Sequence, residues 1–179
     1  NTTPHLDTLD NLIVYKDVLT ESNTTHKIVP MVLSPAQANN YEIINRAKSI
    51  VSAYKEAGFT TAFLTNQAYN LGYGGYYFNE ADIKVSIKDT HLYDSDLLPY
   101  FNEIIDTTEG NLFFVVHLYG SHFRYYDRYP RDFAIFTPDE SPDLSFKYKQ
   151  ENLNAFDNSI YLNSYVVSKI IEKTRSKNG

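Results

Sequence analysis

The chain contains no cysteine, no tryptophan and a single methionine in 179 residues. Without cysteine it has neither disulfides nor thiolate metal sites, an absence that by itself leaves the compartment open. No apolar run approaches the ~18 residues that a membrane span needs. Basic residues are outnumbered, with 16 Lys and Arg against 22 Asp and Glu and a net charge of −6. That balance excludes a nonspecific nucleic-acid binder, whose affinity for phosphates rests on clustered Lys and Arg. The glycines at Gly72, Gly74 and Gly75 follow neither the G-x-G-x-x-G order nor the Lys-Ser/Thr pattern of a P-loop, so no nucleotide site is read there. Neither an initiator methionine nor a signal peptide opens the chain, which reads as a piece of a longer protein.

What is present is ordinary for a globular domain: 42% hydrophobic and 21% charged residues, with 16 Tyr and 11 Phe. Length suits a single domain with one core. The most informative stretch is Asn111–Pro130, NLFFVVHLYGSHFRYYDRYP. Leu112–Val116 is a short β-branched and aromatic run that predicts a buried strand. It leads into His117 and His122, separated by a turn at Gly120-Ser121, and then into a loop with Arg124 and Arg128. Ligand chemistry in open α/β sheets gathers past the carboxyl ends of strands. Two imidazoles and two guanidiniums there suit an anionic ligand, with or without a metal. Histidines packed for structure alone are the competing reading.

Along the rest of the chain, Leu12–Leu19 predicts a strand and Ile28–Leu33 a short helix ended by Ser34-Pro35. Asn40–Ala57 predicts an amphipathic helix with Ile43, Ile44, Ala47, Ile50, Val51 and Tyr54 on one stripe, stopped by Gly58. Thr60–Asn66 reads as a strand that leaves Asn66 and Gln67 at its carboxyl end. Ala68–Glu80 reads as a loop and Ile83–Ile87 as a short strand. Asp94-Ser95-Asp96 caps a helix running to about Asp106. The longest helical pattern runs from about Lys147 to Lys173, with Leu153, Phe156, Ile160, Val167, Ile170 and Ile171 on its apolar face. Alternating strands and helices give the α/β class with a mostly parallel sheet.

Several segments, in order, resemble one family. HLYGSHFRYYDRYP resembles the His-x-x-Gly-Ser-His…Arg-Tyr-Pro segment of the bacterial phosphoethanolamine transferases, members of the alkaline phosphatase and sulfatase superfamily. SNTTHKIVPMVLS resembles their nucleophile segment, in which a Thr lies five residues before a Pro. FDNSIYLNSYVVSKIIE looks like their Tyr/Phe-Asp-Asn…Tyr helix, and TTPHLDTL and AGFTTAFLTNQ fit the pattern between. The resemblance implies an αβα sandwich of the alkaline phosphatase type. Residues 1–179 would form one incomplete catalytic domain, cut at both ends.

Carried over residue by residue, the resemblance makes Thr25 the nucleophile and a metal-contacting residue. It puts His122, and less directly His117, on the substrate-phosphate side; Asn66 and Gln67, as polar groups past the carboxyl end of their strand, are further substrate-binding candidates. Thr25 as a plain helix N-cap is the alternative. A threonine hydroxyl needs a metal or a base to become nucleophilic. Zinc supplies this by lowering the pKa of a bound oxygen, and amides after Thr25 would add an anion site.

The family's remaining zinc ligands, a Gly-Glu and a Ser-Asp-His-Gly-Glu with a later His, do not occur here. Zinc is therefore expected in the intact parent and not as a stably held ion of this chain, which is expected to be inactive alone. The implied parent is membrane-anchored at the periplasmic face of the inner membrane. It would move phosphoethanolamine from a phospholipid donor to lipid A or lipopolysaccharide core through a phosphothreonine. A sulfatase-like hydrolase or phosphoglycerol transferase of the same fold is one alternative, and a non-catalytic scaffold another. Met31-Val32-Leu33 stands where many members have Cys-Met-Phe, which leaves subclass and acceptor open. Missing sheet strands predict self-association, or partner segments from another chain.

Overall fold

The computed structural model describes residues 1–67, 73–87 and 93–178, which form two compact units. One, the sheet unit, comprises Ile13–Ile87 and Thr107–His117; the other comprises Asn1–Leu12, Lys88–Asp106 and Leu118–Gly179.

The sheet unit is built on β1 (Thr60–Thr65), flanked by β2 (Ile83–Ser86) and β3 (Leu112–His117) in the order β2-β1-β3. Both pairings are parallel, with Ala62 opposite Ile83 and Thr60 opposite Leu112. Five consecutive β1 residues are buried, as befits a strand covered on both faces and both edges. Its Phe63 sits in a core with Leu33, Val51, Tyr77 and Ala81. The helices α2 (Thr25–Leu33), α3 (Ile50–Glu56) and α4 (Tyr73–Glu80) supply the cover on the Phe63 face.

Each helix shows why it ends where it does. Gly58 takes φ +85°, and the Gly58 and Phe59 amides donate back to the Lys55 and Tyr54 carbonyls. This closes α3 in a Schellman turn, sealed by the Tyr54 and Phe59 rings 4.9 Å apart. Pro30 lies inside α2 and has no N–H to offer the His26 carbonyl; the Tyr41 hydroxyl donates to that carbonyl at 3.3 Å instead.

Several expectations are corrected. The helix predicted over Asn40–Ala57 is two pieces, a 3₁₀ turn at Tyr41–Asn45 and then α3. Ser49 breaks it: its hydroxyl accepts the Ser52 amide at 3.0 Å and also bonds Glu80, so local capping wins over the apolar stripe. The loop predicted at Ala68–Glu80 is helical from Tyr73, because burial of Tyr77 against the core outweighs two glycines; its first part falls at residues 68–72, outside the described residues. Leu12–Leu19 forms no strand. It finds no ladder partner among the described residues and leaves Ile13 81% and Leu19 97% exposed. β3 was expected to be buried, yet all six of its residues are only half-buried, since β1 is its sole neighbour among the described residues. The expectation of bare edges fails for β1, which is paired on both sides.

The second unit is organised on α6 (Lys149–Asn178), against which α1 (Pro4–Asp7), a 3₁₀ turn at Asp94–Leu97 and another at Tyr125–Arg128 pack. The turn at Asp94–Leu97 runs on into α5 (Leu98–Thr107), whose Phe101, Ile104 and Ile105 are buried. The inward face of α6 is not the predicted one. Leu153 and Phe156 are exposed, while Asn154, Ala155, Asn158, Ser159, Leu162 and Val166 are buried. A stripe of small polar residues is invisible to a hydrophobic count because its burial is offset by hydrogen bonds to the loops it holds. Asn158 accepts the Phe136 amide and donates to the Phe136 carbonyl, both at 2.9 Å. It also donates to Asp139, which receives the Tyr129 hydroxyl at 2.6 Å and pairs with Arg131 at 3.1 Å. Burial, with the Asp139 carboxylate alongside, pushes Tyr129 up to about 12. No helix of the described residues is long and apolar enough to cross a membrane.

Where β1 and β2 begin, Asp82 accepts the Thr61 amide at 3.0 Å and hydroxyl at 2.8 Å, and pairs with Lys55 at 2.5 Å. Lys55, and next the Thr61 amide, hold its carboxyl at about 2, below the ordinary 3.8. A carboxyl lowered in the folded state adds stability that is complete above its unfolded pKa and is lost as pH falls toward the folded one. Asp82→Asn should therefore flatten the fall in urea midpoint between about pH 4 and pH 2, and an unchanged slope would remove Asp82 from the acid transition.

Candidate active site

The parallel ladder sets His117 directly opposite Thr65, so the carboxyl ends of β3 and β1 bring His117 beside the start of Asn66-Gln67. Asn66 is 9% exposed and its carbonyl oxygen has no partner among the described residues. Gln67 donates its amide to the Thr65 hydroxyl at 3.0 Å. Burial lowers the pKa of His117, which favours a neutral ring there, an acceptor or ligand and not a standing cation. Three of the predicted residues thus meet at one sheet end.

Thr25 belongs to the same unit. It is the first residue of α2, exposed, and it follows Thr24, which holds the N-cap position with extended backbone. The N-cap alternative for Thr25 is thereby corrected: the capping position is one residue earlier, and the Thr25 hydroxyl makes no hydrogen bond among the described residues. The two amides that close the first turn, on Lys27 and Ile28, both reach the Thr24 carbonyl. The amides of Thr25 and His26 precede the helix ladder and point out of its positive end.

His122 lies in the second unit, on the loop after β3. Its ring Nδ1 donates to the Phe123 carbonyl at 2.6 Å, which assigns the proton of the neutral ring to Nδ1. Nε2 then carries a free lone pair on an exposed side chain: it can ligate or accept when neutral, and can donate to a phosphate oxygen only as imidazolium. The Tyr119 ring meets the His122 ring edge-on at 5.3 Å, and Arg128 lies over the other ring system's partner, Tyr119, at 4.2 Å.

The guanidiniums read as anion binders are largely committed. Arg128 stacks on Tyr119 and donates to the Arg124 carbonyl at 3.1 Å, while Arg124 stands 3.8 Å from Asp127. Two polar residues that the sequence reading passed over shape this loop. Asp94, taken only as a helix cap, accepts the Tyr119 and Gly120 amides at 2.7 and 2.9 Å. Ser159, placed in the long helix without a role, donates to the Ser121 hydroxyl at 2.8 Å. The signals were there: an Asp-x-Asp pair has one more carboxylate than a cap needs, and Asn158-Ser159 interrupts the apolar stripe.

The fit to zinc can be judged from the donors. Among the described residues no group of three His, Asp or Glu side chains converges on one point, and a stable zinc site takes at least three protein ligands. The described residues do not by themselves make such a site. Zinc titrated into the chain in a calorimeter should show no site of micromolar or tighter affinity; a tight one would mean that His26 or His117 completes a ligand set.

Comparison with known proteins converges on one family. The sulfatase family model matches residues 1–178. Phosphoethanolamine transferase EptC of Escherichia coli strain K12 is 28% identical over 196 residues, covering 99% of this chain and 33% of that protein. Phosphoethanolamine transferase CptA of Salmonella typhimurium is 29% identical over 177 residues, covering 88% of this chain and 30% of that protein. The crystal structure of the C-terminal periplasmic domain of E. coli EptC in complex with Zn superposes with a TM-score of 0.86 at 27% identity, over 99% of this chain and 54% of that one. The chain thus spans about a third of the length of these curated relatives. With an αβ fold shared at that TM-score and a family match over nearly its whole length, the chain belongs to the sulfatase family.

Proposed function

We propose that this chain is part of a periplasmic, membrane-anchored phosphoethanolamine transferase that modifies lipid A or lipopolysaccharide core, with Thr25 as nucleophile. The observation that carries this reading is the Thr25 hydroxyl itself: exposed, at the first position of a nine-residue helix, and used among the described residues neither as a cap nor in any other hydrogen bond. The similar proteins named above are phosphoethanolamine transferases, and one solved relative is a periplasmic domain with bound Zn. They support a zinc requirement in the whole protein, with the ligands that this chain lacks coming from outside it.

In the first half-reaction, Thr25 Oγ1 attacks the phosphorus of the phospholipid headgroup. The bond from phosphorus to the diacylglycerol oxygen breaks, and that oxygen takes up the proton lost by threonine. In the second, an oxygen of the acceptor attacks the phosphothreonine, and Thr25 leaves with a proton restored. The α2 amides ahead of the ladder stabilise negative charge on the phosphoryl oxygens. The family resemblance, and not any placement relative to Thr25, gives His122 the role of contacting a phosphate oxygen. Asn66, Gln67 and His117 line the substrate side at the sheet end. The chain alone is expected to turn nothing over, since its donors do not complete a metal site.

In the full-length protein, Thr25→Ala should abolish transfer and the phosphothreonine seen by mass spectrometry while leaving the melting temperature near wild type. Turnover close to wild type would remove Thr25 from the mechanism. His122→Ala should lower kcat by about 10²-fold or less, because it positions charge and forms no covalent bond. An unchanged rate would make His122 structural.

The partners proposed are the phospholipid donor and the lipopolysaccharide acceptor, with no nucleic acid. The uncovered Leu12–Leu19 stretch further favours self-association of the isolated chain. Light scattering at low micromolar concentration should show species heavier than 20.6 kDa; a clean monomer with a cooperative melt would rule association out.

A further inference from the structure

We infer that Asp94 is a positioning residue for His122: by accepting the Tyr119 and Gly120 amides, its carboxylate sets where the His122 imidazole stands. The proposal rests on the reading of His122 as a phosphate-side residue, while the anchor itself stands on geometry alone. Asp94 is only 4% exposed, and burying a carboxylate is costly unless it is hydrogen-bonded. Two charge-assisted bonds of 2.7 and 2.9 Å from consecutive amides meet that requirement. Gly120 itself takes φ +65°, so the chain turns sharply just after the two anchored amides on its way to Ser121 and His122. A side chain at Gly120 would meet nothing within 4 Å, so the backbone conformation and not space calls for glycine.

The carboxylate is itself held firmly. Asp94 opens the 3₁₀ turn that continues into α5, and Leu97 and Phe101, each 1% exposed, root that run in the unit's interior. The Asp96 carboxylate secures the turn from the other side by accepting the Tyr93 amide at 2.7 Å. From the anchored Gly120 the chain has two residues to His122. One of them, Ser121, receives the Ser159 hydroxyl from α6. Tyr119 also touches the His122 ring directly and carries Arg128 on its face. A shift at the Tyr119 and Gly120 amides therefore moves the imidazole both through the backbone and through the ring contact. A plain loop closure could use neutral partners; a buried anion clamped on two adjacent amides limits displacement in two directions at once.

Asp94→Asn tests this, because its –NH₂ would face one of the two amides and at least one bond must be lost. Hydrogen exchange on the isotope-labelled chain should show the Tyr119 or Gly120 amide, or both, exchanging about tenfold faster or more in the variant. In the full-length protein, kcat should fall about 10- to 100-fold with KM for the phospholipid within about twofold, the signature of a misplaced group and not of lost binding. Equal exchange rates in the two proteins would overturn the anchor. Faster exchange with an unchanged kcat would overturn the positioning role. A wild-type protein without transferase activity would instead sink the functional reading, with exchange still deciding the anchor. Should Asp94→Asn fail to fold, Asp94→Glu keeps the charge and moves it by one methylene; it should show the same loss of kcat, and wild-type turnover would overturn the proposal.

Discussion

The parallel pairing of β1 with strands on both sides is the constraint on which the sheet unit depends. Its backbone groups are satisfied on both edges, and Thr61 to Thr65 are buried, so no other placement of this strand would leave so few polar groups in need of water. Parallel pairing also dictates where chemistry can gather. With every strand running the same way, the carboxyl ends of β1 and β3 fall together, and His117 stands level with Thr65 because the register leaves no choice. The clasp of Asp82 on Thr61 fixes the opposite end of the ladder, so the register is pinned where the strands begin and read out where they end.

The second unit solves a different problem. Its loops carry many aromatic and polar side chains but little regular structure, and α6 holds them through a buried polar face. Asn158 offers both halves of its carboxamide to the backbone of Phe136, in the manner of a one-residue ladder, and shares Asp139 with Tyr129 and Arg131. Asn158, Asp139 and Tyr129 all find partners in one another or in the backbone, which is the condition for such a network to specify one arrangement. The loop bearing His122 is tied in the same way, by Asp94 through its backbone and by Ser159 through Ser121.

The division of labour between the cations and the histidines follows from these ties. Arg124, Arg128 and Arg131 spend their charge on Asp127, on Tyr119 and on Asp139, shaping the loop in place of offering themselves to a ligand. The exposed lone pair of His122 and the unengaged hydroxyl of Thr25 are the groups left chemically open.

Much of this was legible in the residues. The β-branched and aromatic runs at Thr60–Asn66 and Leu112–Val116 marked two strands, Gly58 marked a helix stop, and the ordered motifs around Thr25, His122 and Asn158 marked the family. Those features depend on local propensity and spacing, which the chain carries by itself. What only the tertiary structure decided were features set by distant neighbours. Ser49 breaks a predicted helix because capping and a bond to Glu80 reward it for doing so. Tyr73–Glu80 is helical in spite of its glycines because a core exists for Tyr77 to enter. Leu12–Leu19 has strand composition and no ladder, since a strand is defined by its partner. The buried face of α6 mixes Asn and Ser with Ala155, Leu162 and Val166 because loops far along the chain supply the hydrogen bonds, and Asp94 became more than a cap only when Tyr119 and Gly120 folded onto it. Local signals report what a segment can do alone; burial and hydrogen-bond satisfaction are settled by residues that sequence order keeps apart.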